Sequence, residues 1–135
     1  MTARRVDQGM AVAAAEALPA KVDSELRTRY RHLRIMLHTA GLAATYAYIA
    51  SKSRDADGGH DTLASAYQAA RMGIVAQLKD KGLLDSDATD TRQVLARLGG
   101  MGPVEYARAS AETAAFIGWL SRLADAEWQD GNAGA

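Results

Sequence analysis

The stretch SELRTRYRHLRIMLHTAGLAATYAYIASKS (24–53) decides the class of fold. Its apolar positions Leu26, Tyr30, Leu33, Leu37, Ala44 and Tyr48 recur at steps of three, four or seven. That spacing holds them on one face of a helix. Asp23 and Ser24 are both good helix caps at its start. Gly41 marks either a break or a close helix contact, which leaves one long helix or two. The polar, Gly-bearing stretch 51–61 reads as a loop.

Working outward, the same period continues through the chain. A first helix runs from about Arg5 to Leu18 and stops at Pro19, which cannot continue a helix interior. After the loop, Asp61 is placed to cap a helix whose stripe is Leu63, Tyr67, Ala70, Ile74 and Leu78, ending near Gly82. Asp90 and Gln93 form a capping-box pattern ahead of Val94, Leu95 and Leu98. The segment 99–103 reads as a turn, with Pro103 at a favoured first helical position. The last helix runs from there to about Gln129, with Ala109, Thr113, Phe116, Leu120, Leu123 and Ala124 as its core face. Residues 1–4 and 130–135 are expected to be disordered ends. Of the 135 residues 29 are Ala and only 6 % are aromatic. Ala is the best helix former and is depleted in strands. The expected fold is therefore all-α: a single-domain helical bundle of about five to six helices over residues 1–135.

Sixteen Lys+Arg balance sixteen Asp+Glu, yet the balance is uneven. Residues 21–54 hold seven cations (Lys21, Arg27, Arg29, Arg31, Arg34, Lys52, Arg54) and two anions (Asp23, Glu25), so 7 − 2 gives +5. The remainder carries −5, which marks one anion-seeking surface on an otherwise acidic molecule. Absence of Cys excludes a disulfide framework, a zinc ribbon and a Cys nucleophile, and fits the reducing cytoplasm. No apolar run approaches the roughly 18 residues of a membrane span. The Ala-rich N-terminus, interrupted by Asp7, Gln8 and Glu16, reads as mature sequence rather than a signal peptide.

Three His are present, and His32 and His38 are six apart, so they point in different directions on a helix. No HExxH pair, phosphate loop or GxSxG elbow occurs, and no metal, cofactor or catalytic set is expected. Two constellations remain. Arg27, Arg31 and Arg34 lie within about 60° of one another on a helix, with His38 on the same strip. They read either as a phosphate-tracking ridge, for which Arg's fork is well shaped, or as Arg stems covering an apolar edge. On the final helix Arg108, Glu112, Ala115, Trp119 and Arg122 form a second strip, flanked by Ala111 and Gly118. There Arg108–Glu112 is an expected i, i+4 pair, and Trp119 suits an interface or closes the bundle edge. Trp128 is a weaker candidate of the same kind.

Residues 105–124 resemble the signature of the small helical subunit of type III-B CRISPR effector (Cmr) complexes, with matches at Tyr106, Ala109, Ser110, Glu112, Trp119, Leu120, Arg122 and Ala124. Residues 37–52 resemble that family's other segment, with matches at Gly41, Leu42, Thr45, Ser51 and Lys52. The likeness spans nearly the whole chain. Two places differ: the family's Arg directly after the Tyr is Ala107 here, followed by Arg108, and the Asn before Gly-Leu is Ala40. The resemblance implies a non-catalytic subunit that stacks in a short filament beside the backbone subunits and lines the groove of the guide–target duplex. Its partners would be other Cmr subunits, guide RNA and target RNA, with self-association open.

These readings together assign RNA binding to Arg27, Arg31, Arg34 and Lys52, with Arg108 and Arg122. They assign subunit contact to Trp119, Glu112, Tyr106 and the first helix. The competing reading is a small helical adaptor or homo-oligomeric bundle without RNA. In it the Arg stripe would meet acids such as Asp55, Asp57, Asp61, Asp80 and Asp85. The small subunit of the related type III-A complex is a further alternative.

Overall fold

The computed structural model describes residues 2–54 and 62–133, with side chains described for 8–54 and 62–128. Six helices and, among the described residues, no strand make up the fold. They are α1 (Thr2–Ala17), α2 (Ser24–Ala40), α3 (Leu42–Lys52), α4 (Thr62–Asp80), α5 (Thr91–Gly99) and α6 (Pro103–Ala133). His60, Asp55, Asp57 and the expected cap Asp61 lie outside the described residues.

Local chemistry accounts for the boundaries. Asp23 is the α2 cap, its carboxylate accepting from the Leu26 amide at 2.8 Å. Gly41 divides 24–53 into two helices, at φ +97° and ψ 171°, a backbone state that L side chains rarely adopt. At the end of α4, Gly82 takes φ +71°, its amide donates to Lys79 O, and the Leu83 amide donates to Leu78 O at 2.8 Å. This is the Schellman arrangement, with Leu78 and Leu83 both buried in the core. Asp90 and Gln93 cap α5 reciprocally as the spacing predicts. The last helix continues past Gln129 to Ala133, through Gly131. A single Gly costs only about 1 kcal/mol in a helix, too little to end one.

The core draws on every helix. Tyr30, Leu33, Tyr46, Ile49, Ile74, Leu78, Leu98, Phe116, Ile117 and Leu120 are all fully or almost fully buried. The sequence stripe of α2 is observed intact at Leu26, Tyr30, Leu33 and Leu37. Beyond Gly41 it fails: Ala44 is exposed and Tyr48 half-buried, while Leu42, Thr45, Tyr46 and Ile49 are the buried positions of α3. A positive-φ residue resets the helical phase, so a period carried across it points to the wrong face. Packing between α4 and α6 is close enough that a Cβ on Gly73 would lie 2.3 Å from Phe116 Cζ.

Candidate nucleic-acid interface

Helices α2 and α6 lie side by side and antiparallel, pinned at both ends. At one end the Ala43 amide, in the first turn of α3, donates to the Tyr106 hydroxyl at 3.0 Å. The α3 N-cap is Gly41, which has no side chain to offer, so a Tyr from α6 satisfies one of the orphan amides there. The Tyr106 hydroxyl is thus an internal cap, a role the sequence reading did not assign to it. It also joins the two sequence segments, since the Tyr106 hydroxyl lies beside Gly41.

At the other end, Arg27 Nε donates to Asp125 Oδ1 at 2.5 Å, and Arg31 Nη2 reaches the same oxygen at 3.5 Å. The Arg27 guanidinium also stacks on Trp128, 4.3 Å from the ring centroid. The ridge is thus graded along its length. Arg27 is held inward with 23 % of its side chain exposed, while Arg31 keeps 51 %. Arg34, one turn further on, has no ion-pair partner among the described residues. Around Arg31, Arg34 and His38 lies a shallow depression of about 450 Å³ that includes Ile35, an apolar side chain left 59 % exposed. Ile35 sits about 180° from the buried stripe of α2, so its exposure follows from the helical period.

On α6, positions 107, 111, 114, 118 and 125 fall on one strip at helical spacing, the strip that carries Asp125. Ala107, Ala111 and Ala114 are exposed, and a Cβ on Gly118 would meet nothing within 4 Å. The Arg flank of α2 therefore lies beside a low strip of small side chains on α6.

The remaining expected RNA residues, Lys52, Arg108 and Arg122, are not gathered there. Arg29 lies on the opposite flank of α2, paired with Glu25 at 3.7 Å. Lys52 belongs to that second side: its Nζ is 5.5 Å over the Tyr48 ring, which meets Tyr67 edge-on, and Tyr67 feels the charges of Arg29 and Glu25. The turn at Gly41 carries Lys52 away from the Arg31–Arg34 strip. Burial pushes the phenols of Tyr30 and Tyr67 upward, with the neighbouring tyrosines adding to the effect. Both therefore stay neutral at ordinary pH.

Arg108 and Arg122 are exposed on a different strip of α6, about 100° and 60° round from Asp125. The Arg122 guanidinium lies 5.9 Å over Trp119, which is itself half-buried against the core. Arg108 and Glu112 do not form the expected ion pair. Of the acids named in the competing adaptor reading, Asp85 is paired with Arg97 at 2.8 Å, and Arg97 also reaches Asp87 at 3.7 Å. The carboxylate that sequence reasoning missed is Asp125. Its role follows only from the antiparallel pairing of α2 and α6, which brings the end of one helix to the start of the other.

Among the described residues no group of three His, Cys, Asp or Glu is placed to hold a metal ion, and no helix is long and apolar enough to cross a membrane. No curated protein and no solved structure matches the chain significantly. A family model described as CRISPR-associated protein (Cas_Cmr5) matches residues 4–127. That span takes in both Gly41–Leu42 and Tyr106, whose contact fixes the bundle, and the chain belongs to the Cas_Cmr5 family, the small subunits of type III-B CRISPR systems.

Proposed function

We propose that this chain is a non-catalytic structural subunit of a Cmr ribonucleoprotein in antiviral defence, stacking with neighbouring subunits and touching the guide or target RNA backbone through one flank of α2. Family membership supports association with other Cmr subunits. The observation that favours RNA contact is Arg34, without an ion-pair partner among the described residues, beside the half-exposed Arg31 and over an open depression next to the low strip of α6. Arg suits this role because its planar fork matches two phosphate oxygens at once. Exposed Val12 on α1 and the Trp119–Glu112 strip on α6 are the surfaces offered to neighbouring subunits.

Two phosphate contacts on a single strand give a salt slope of only about −1.4. The isolated chain should bind RNA weakly and without sequence preference, and assembly should multiply the contacts through effective concentration. The test is an assembled complex carrying Arg31→Glu and Arg34→Glu. RNA retention at physiological salt should fall, and retention equal to that of the unmodified complex would remove the α2 flank from the RNA path.

A further inference from the structure

We infer that the Asp125 carboxylate occupies a phosphate seat formed by Arg27 and Arg31, and that a polynucleotide takes this seat by displacing it. The inference rests on the α2 flank being the RNA side. Arg27 and Arg31, one turn apart, converge on a single oxygen, Oδ1 of Asp125, at 2.5 and 3.5 Å. Trp128 stacks on the Arg27 guanidinium, 4.3 Å from the ring centroid, which restricts its orientation. Its occupant is not sealed in: the Asp125 side chain is 38 % exposed and the Arg31 contact is long. Exposed ion pairs of this sort are weak and solvent-screened.

The arrangement discriminates by polymer length. A free phosphate must compete with a carboxylate tethered at an effective concentration in the millimolar range or above, and it has no second hold. A strand first anchored at Arg34 competes on equal terms. Arg34 is only about 4.5 Å of helix rise from Arg31, so neighbouring phosphates of one flexible strand can meet both. Asp125 therefore keeps the seat neutral toward small anions and yields it to a polynucleotide already in place.

The experiment uses the full chain and a short uridine homopolymer, read by fluorescence anisotropy across a salt series. Asp125→Asn should bind several-fold more tightly at low salt with the salt slope unchanged, because the unmodified chain engages the same phosphates once its carboxylate has left the seat. Glu127→Gln removes the same charge from an exposed position on α6 with no ion-pair partner among the described residues, and should change neither affinity nor slope appreciably. Equal affinities for the two variants, or a slope steeper for Asp125→Asn than for the unmodified chain, would overturn the inference. The Arg31→Glu/Arg34→Glu chain separates the two levels: if it still binds the homopolymer as tightly as the unmodified chain, the RNA reading itself falls. Preference for polyglutamate over the homopolymer would also overturn both, in favour of an acidic protein partner. Should Asp125→Asn not fold, the unmodified chain gives the answer through the carboxyl carbon resonance of Asp125. It should shift on RNA addition, and a stationary signal while the Arg34 Nε resonance moves would refute displacement.

Discussion

Two mid-helix glycines should respond in opposite directions to the same substitution. In an open helix Gly→Ala stabilises by about 1 kcal/mol, through backbone entropy and helix propensity. Gly118 meets that condition, since an added Cβ would touch nothing within 4 Å. Gly118→Ala should therefore gain close to the full 1 kcal/mol. At Gly73 the new methyl would lie 2.3, 2.9 and 3.3 Å from three atoms of the Phe116 ring. Normal carbon–carbon separation is about 3.5–4.0 Å, so the ring must move by more than an ångström. Phe116 is fully buried, so a displaced ring must push against other core side chains. Overpacking of this kind costs about 1–3 kcal/mol, and a displaced aromatic ring belongs at the upper end. Set against the helix gain, Gly73→Ala should lose about 1–2 kcal/mol. For a chain of this length about 1 kcal/mol moves the melting temperature by 3–4 °C. The two variants should thus melt on either side of the unmodified protein, in calorimetry and in urea titration alike. Phe116→Leu should rescue Gly73→Ala, with a coupling of at least about 1 kcal/mol in a double-mutant cycle. If Gly73→Ala proves as stable as Gly118→Ala, the α4–α6 contact is not as close as described and the reasoning fails.

Three further outcomes are expected. Tyr106→Phe keeps the ring but takes the acceptor from the half-buried Ala43 amide, and should cost about 1 kcal/mol; Tyr106→Ala should cost distinctly more, and an unchanged urea midpoint for the Phe variant would deny the capping role. Tyr30→Phe should be neutral or slightly stabilising in thermal melts, because the Tyr30 hydroxyl is buried without a hydrogen-bond partner, and a loss above about 1 kcal/mol would show that it has one. Because burial raises the Tyr30 and Tyr67 phenols above the unfolded value of about 10, the unfolded chain ionises first as pH rises. Stability from these groups is complete below pH 10 and is lost above it, by up to about 2.7 kcal/mol per pH unit for the pair; replacing both with Phe should flatten that decline in urea titrations at pH 9 to 11.

Within each helix the period was enough to name the core, as the α2 stripe and the α5 capping box show. What it does not carry is phase across a break. Ala44 and Tyr48 follow the rhythm of α2 only on paper, since the left-handed backbone at Gly41 turns α3 to a new face. The site was legible in the same measure. The Arg strip is a property of one helix and was readable from spacing alone. Its neutralisation is a property of two helices 98 residues apart, and composition gives no hint that Asp125 rather than another acid meets Arg27. Lys52 was misplaced beside the strip for the same reason as Tyr48: the corner intervenes.

The pinning of α2 by α6 bears on how the chain is made. Tyr106 reaches back 63 residues to Ala43, and Asp125 reaches back 98 residues to Arg27. On the ribosome the first five helices can pack on one another, but the apolar faces they turn to α6 stay open until it emerges. The nascent chain stays exposed to chaperones and proteases until α6 has cleared the exit tunnel. Any premature stop after α5 should yield a product that is degraded rather than a smaller working protein.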